Sequence, residues 1–220
     1  MSRLLLVAVL LLAGCAKAVR PTMVPDELRT YRTDDGWEAE IRRYGGEGTP
    51  VLLVHGMGAN HYNWDYAEEV SLAHHLAERG WDVWVPELRG DPGSTAPSRR
   101  ARRSFTFDDH AVHDLPAVVD AVLAETETER LYWVGHSMGG LLLYTALAEY
   151  PDRIEAGVAI CSPVELSSLT GLHRRLRTMA WAVRGRGRLP SVFFARLSLP
   201  LGRLNPLYGR LANRENLDYP

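Results

Sequence analysis

Little in this chain can form a cross-link. It has two cysteines, Cys15 and Cys161, in 220 residues, so one disulfide is the most it could make. It also lacks a spanning segment at its start: Leu4 to Leu12 is continuously apolar, but roughly 20 residues are needed to cross a bilayer as a helix. No grouping of His, Cys and Asp has the spacing of a metal site, so no metal and no other cofactor is expected. A formal net charge of -2 excludes a globally cationic nucleic-acid binder, so nucleic acid is not an expected partner. No internal repeat marks a solenoid. Acid is missing over one long stretch, Leu166 to Arg214, where arginine recurs at 174, 175, 177, 184, 186, 188, 196, 203, 210 and 214. What remains is ordinary in composition and long enough for one α/β domain.

The first residues are read apart from that domain. Met1-Ser2-Arg3 is a short positive stretch, Leu4 to Leu12 an apolar one, and Leu12-Ala13-Gly14-Cys15 follows. This resembles the bacterial lipoprotein signal, in which small residues precede a cysteine that becomes the lipidated N-terminus. The resemblance implies a signal peptide over 1–14, thioether lipidation at Cys15, and an exported, membrane-anchored protein. Ala16 is not the aspartate linked to inner-membrane retention, which favours the outer membrane where the host has two. Lipidation would leave Cys161 as the only thiol. Residues 15–30, with Pro21 and Pro25, read as a tether.

From 31 to 165 the pattern is strand then helix, repeated. Trp37 to Tyr44 alternates loosely as a strand. Val51 to Val54 is a buried strand, Tyr66 to Arg79 helical, and Trp81 to Val85 the next strand. A helix from about Asp108 to Glu125 follows, then strands at Leu131 to Val134 and Gly157 to Cys161. Uninterrupted apolar strands alternating with amphipathic helices predict an α/β fold with a mostly parallel sheet covered on both faces.

The chemistry concentrates at Gly135-His136-Ser137-Met138-Gly139-Gly140, between the apolar run Leu131 to Val134 and the helical run from Leu141. This is G-x-S-x-G with a strand before it and a helix after it. In that context a tight turn lifts the serine hydroxyl above the sheet, at a helix N-terminus that favours negative charge. Ser137 is therefore the candidate nucleophile. An ester carbonyl attacked there needs backbone N–H groups for its oxyanion: Met138, just after the nucleophile, offers one, and Met57, in His55-Gly56-Met57-Gly58 directly behind the strand 51–54, the other.

Four motifs together resemble the α/β-hydrolase superfamily: HGMG at 55–58, VWVPELRGDPGS at 83–94, GHSMGG at 135–140 and AEYPDRI at 148–154. Asn63-Trp64 and the Asp82-Val83-Trp84 strand look like the acid-lipase and monoacylglycerol-lipase branches. The resemblance covers about residues 37–165. It implies the α/β-hydrolase fold and a serine esterase or lipase acting on small-molecule or lipid esters. One departure is Asp91, where relatives commonly carry histidine in R-G-H-G; that position is read as structural.

In this superfamily the acid and the histidine follow the nucleophile. The acid candidate here is Glu165, after the strand ending at Cys161, and the only histidine after Ser137 is His173. His173 sits in the arginine-rich segment rather than after a strand. The expectation is that the last two strands, with the usual acid and histidine, are absent and the chain is truncated at its C-terminus. An inactive fragment or binding module is then the alternative to an enzyme. Residues 166–220 read as an arginine-rich lid or cap, either an interfacial element on anionic lipid or simply solvated. His136 is expected to pack beside the turn. His74, His75, His110 and His113 are expected on exposed or half-buried helix positions, and His61 is placed only as a possible border of the pocket. Oligomeric state is not legible.

Overall fold

Three strand segments, Pro50–Val54, Asp82–Pro86 and Leu131–His136, are rich in Val, Leu and Trp, and the first two are buried at every position. Such runs can only lie inside a sheet covered on both sides. The computed structural model describes residues 23–164. The strands are β1 (Glu27–Arg32), β2 (Glu38–Tyr44), β3 (Pro50–Val54), β4 (Asp82–Pro86), the two-residue β5 (Ser94–Thr95), β6 (Leu131–His136) and β7 (Ile154–Ile160). Their order is β1-β2-β4-β3-β6-β7, with β5 beside β2. β4, β3, β6 and β7 run parallel, and β1 and β2 form an antiparallel flap on the β4 edge. The expectation of a mostly parallel sheet holds.

Successive residues of a strand face opposite sides. Leu52 and Val54 enter one apolar cluster with Leu131, Trp133 and the helices α2 (Leu115–Thr126) and α3 (Met138–Glu149). Val51 and Leu53 enter the other, with Val83, Val85, Trp64 and Ala73 of α1 (Leu72–Ala77). Helices therefore cover both faces. Each fully buried Leu or Val contributes about 1.5–3 kcal/mol, so the sheet centre, on which the site stands, is the most tightly held part of this layer.

Three differences from the sequence reading have physical causes. Residues 27–30, expected in the tether, belong to β1, because an edge strand needs no apolar alternation: four of its six residues are exposed, and only Tyr31 is buried. The helix expected over 66–79 is broken into Glu68–Val70 and α1, with the Ser71 hydroxyl accepting the His74 N–H as an N-cap. The helix expected from 108 to 125 runs as a turn at Phe107–Asp109 and a wide π-type turn over His110–Asp114 before α2. Pro116 causes this: it has no N–H and its ring crowds the carbonyl four residues back, so the preceding ladder widens, with Leu115 N–H donating to His110 O.

Candidate active site

β6 ends at His136, α3 starts at Met138, and Ser137 alone makes the turn between them, at φ 50° and ψ -111°. A non-glycine residue there holds about 1–3 kcal/mol of backbone strain that its surroundings must offset. They do so with hydrogen bonds. Ser137 N–H donates to Ile160 O at 2.8 Å, and the Ser162 hydroxyl donates to Ser137 O at 2.8 Å. Gly140 and Leu141 N–H donate to the same carbonyl at 3.1 and 3.2 Å. The tip of β7 thus clamps the turn, a contribution with no signal in the local sequence. Close approach explains the glycine at 139: a Cβ there would lie 2.1 Å from Val54 O. α3 consequently begins hard against the end of β3, with its amide dipoles directed at Ser137.

The loop after β3 meets this turn. A Cβ on Gly56 would lie 3.0 Å from both Ser137 Cβ and His136 Nδ1. The Gly56–Met57 peptide therefore runs beside Ser137. Met57 and Met138 line a cleft of about 320 Å³ together with Gly56, Phe105, Phe107 and His110. Met57 as a residue is 78% exposed. His136 packs against Gly56, as expected.

Beneath the loop lies a buried polar cluster that the sequence analysis did not find. His55 Nε2 is 2.9 Å from Asp91 Oδ2 and 4.0 Å from Glu87 Oε2, while its Nδ1 is 3.0 Å from Gly56 O. Burial alone would push the His55 pKa down, but the hydrogen bond and charge of Asp91, the Gly56 carbonyl and Glu87 outweigh it and raise it. Glu87, fully buried, accepts from Arg42 at 3.4 Å through Oε1, and the same oxygen contacts His61 Nδ1. Asp91 also accepts the Leu88 N–H at 2.8 Å. The Asp that departs from the R-G-H-G pattern is therefore a working partner of the His in the loop motif.

A second buried group flanks the cleft. Arg89 donates to Asp114 through Nε at 2.9 Å and to Asp35 at 2.9 Å, and His110 Nδ1 lies 2.8 Å from Asp114 Oδ2. His110 was expected on an exposed or half-buried helix position. It is buried, 6% exposed, because Asp114 four residues on supplies its partner at the wide turn. His74 and His113 are half-buried and His75 exposed, as expected.

Two sets of donor atoms lie within 4.8 Å of one another, His55–Glu87–Asp91 and Asp34–Asp35–His113, although spacing along the chain suggested no metal cluster. Both sets serve internal pairs: His55 with Asp91, Asp35 with Arg89, and His113 with Asp34 at 2.6 Å. Cys161, exposed at φ 53°, is the free thiol among the described residues. Glu165, His173, Cys15, the signal segment 1–14 and the arginine-rich segment 166–220 lie outside the described residues. No described helix is long and apolar enough to cross a membrane.

Comparison with known proteins agrees with this layout. Human gastric triacylglycerol lipase is 31% identical over 171 residues, 70% of this chain and 43% of that protein. Lysosomal acid lipase/cholesteryl ester hydrolase of Macaca fascicularis is 30% identical over 186 residues, 76% of this chain and 44% of its own length. The chain spans under half the length of these relatives. Among solved structures, an epoxide hydrolase mutant of Vigna radiata superposes with a TM-score of 0.53 at 20% identity, over 82% of this chain and 52% of that one, a likeness of fold alone. A family model described as "alpha/beta hydrolase fold" matches residues 49–207, and with the strand–Ser137–helix turn set on a mostly parallel sheet, the chain belongs to the α/β-hydrolase fold family.

Proposed function

We propose that this chain is a serine carboxylester hydrolase of lipase or esterase type, acting on lipid-like acyl esters. The observation that carries the reading is Ser137, held at φ 50° at the head of α3 with the Met57 loop against it. Ser137 Oγ attacks the ester carbonyl carbon and gives up its proton to an imidazole; the carbonyl oxygen becomes an oxyanion facing the Met57 and Met138 N–H groups. Expulsion of the alcohol leaves an acyl-serine, which water hydrolyses. His173 is the candidate base and Glu165 the candidate acid. The relatives named as triacylglycerol and cholesteryl ester lipases support an acyl ester of lipid type.

A fluorophosphonate probe on the full chain tests this. Labelling at Ser137, lost in Ser137→Ala together with turnover of short-chain nitrophenyl esters, is the expected result. Folded protein that takes no label rejects the enzyme and leaves the inactive fragment or binding module. We further propose that lipidated Cys15 anchors the exported protein to a bacterial membrane, and that residues 166–220 are a lid segment whose basic groups are each worth about 1 kcal/mol near anionic lipid. Labelled palmitate incorporated in vivo by the wild type and not by Cys15→Ala is the expected outcome; incorporation by both excludes that anchor.

A further inference from the structure

The Gly56–Met57 peptide is a rigid plane, with the Gly56 carbonyl and the Met57 N–H pointing in opposite directions along it. Whatever holds Gly56 O therefore aims the Met57 N–H. Two donors reach that oxygen: Ala59 N–H at 3.1 Å, from the chain just ahead, and His55 Nδ1 at 3.0 Å, from the residue just behind. At the ring's far edge Asp91 Oδ2 lies 2.9 Å from Nε2, an ion-pair contact off the line of a hydrogen bond. With an acceptor beside each nitrogen the imidazolium is the favoured form, since a neutral ring has one N–H and turns a lone pair on the other acceptor.

We infer that His55 and Asp91 are positioning residues for the oxyanion site, the ring clamping Gly56 O so that the Met57 amide faces the carbonyl oxygen of a substrate at Ser137. Deprotonated His55 must give up one of its two contacts. Asp91 and the buried Glu87, 4.0 Å away, both favour the proton; Glu87 also pairs with Arg42 and contacts His61. On the other side of Gly56, the His136 ring stands against the same backbone. The raised pKa of His55 agrees with this charge balance. The loop is thereby held in its working orientation while His55 carries its proton and released as His55 loses it.

This rests on the reading of Met57 as an oxyanion donor, so the test has one arm that does not need catalysis. Selective ¹⁵N-methionine labelling of the full chain gives at most four peptide amide signals, for Met23, Met57, Met138 and Met179, with Met57→Leu assigning the one of interest. The Met57 amide shift should follow a single titration above the ordinary histidine range in the wild type. In Asp91→Asn that midpoint should fall, and in His55→Asn, whose side-chain amide can still donate near the Nδ1 position, the titration should vanish. An Asp91→Asn protein whose Met57 signal titrates as in the wild type, or a Met57 signal indifferent to pH, overturns the inference.

The second arm is the rate of fluorophosphonate labelling at Ser137 against pH. Asp91→Asn should slow it about tenfold at pH 7 through kcat-like reactivity rather than probe affinity, less than the roughly 10²–10³ for complete loss of one donor. His55→Asn should restore most of the rate and flatten its pH profile. Equal rates in Asp91→Asn and wild type also overturn the inference. Failure of the wild type to label at all rejects the hydrolase while the amide titration still decides the wiring of the loop.

Discussion

Gly56→Ala is the sharpest probe of how the site is assembled. The added Cβ would stand 3.0 Å from Ser137 Cβ, 3.0 Å from His136 Nδ1 and 3.3 Å from His136 O. Carbon–carbon contacts settle at about 3.5–4.0 Å, so the loop must withdraw from the turn by about 0.5 Å or more. A productive oxyanion donor must lie within about 2.7–3.1 Å of the developing charge, a window narrower than that displacement. Loss of a donor costs about 10²–10³ in rate, and a partly displaced one should therefore cost about 10- to 100-fold. Stability should change little. Overpacking costs about 1–3 kcal/mol, and restricting the unfolded chain returns about 0.4–1 kcal/mol, leaving roughly 0–2.6 kcal/mol. The assay is the second-order rate of fluorophosphonate labelling at Ser137, read beside the urea midpoint. A labelling rate within twofold of wild type, with the fold intact, would refute the argument that the loop bears directly on the nucleophile.

Gly139→Ala should act on the fold rather than the rate, because its Cβ would sit 2.1 Å from Val54 O and 2.9 Å from His55 O; β3 and α3 must part, a loss of about 3 kcal/mol or more in urea unfolding, and a midpoint equal to wild type would contradict it. Asp114→Ala strips Arg89, whose side chain is 1% exposed, of one of its two carboxylates and leaves His110 without its partner. A cost of about 3 kcal/mol is expected, the lower end of the range for a broken buried pair because Asp35 remains, and a change below 1 kcal/mol would exclude this role. The two paired groups at the site should tilt stability in opposite directions with pH. The His55 pKa is raised in the folded protein from 6.5, so its contribution is complete below about pH 6.5 and lost as pH rises through the folded value. Asp35 is lowered from 3.8, burial raising it but hydrogen bonds from Arg89 and Thr33 prevailing; its contribution is present above about pH 4 and lost as pH falls. Urea midpoints from pH 3 to pH 9 should show both slopes, and Asp91→Asn should flatten only the alkaline one.

The parts of this fold that could be read from the chain are those in which a local pattern does the physical work. Pro50–Val54 and Asp82–Pro86 bury every residue, and a continuous apolar run has no other use at that length. Ser137 was legible because its strain is local: strand, turn and helix all lie within twenty residues. β1 was not legible, since an exposed edge strand is specified by its register with β2, Glu27 opposite Arg43 to Arg32 opposite Glu38, and not by its own hydrophobicity. His110 looked like a surface histidine because the wide turn that buries it comes from Pro116, six residues away.

The polar wiring under the site was the least legible part, and the reason is distance along the chain. His61 meets Glu87 across 26 residues, Arg89 meets Asp35 across 54, and Tyr31 donates to Glu87 O across 56. No periodicity announces such contacts; the sheet makes them, the ends of parallel β3 and β4 meeting at one edge and the antiparallel β1–β2 flap bringing Tyr31 and Asp35 to Glu87 and Arg89. One signal did exist. The aspartate at 91, where the resembled family commonly has histidine, changes the sign of the charge facing His55, and two histidines there could not both be protonated without repulsion. A substitution of opposite charge beside a buried imidazole is not neutral to the loop that imidazole holds. The departure from the motif thus marks where the proposed oxyanion loop would gain a dependence on protonation that its sequence pattern alone would not suggest.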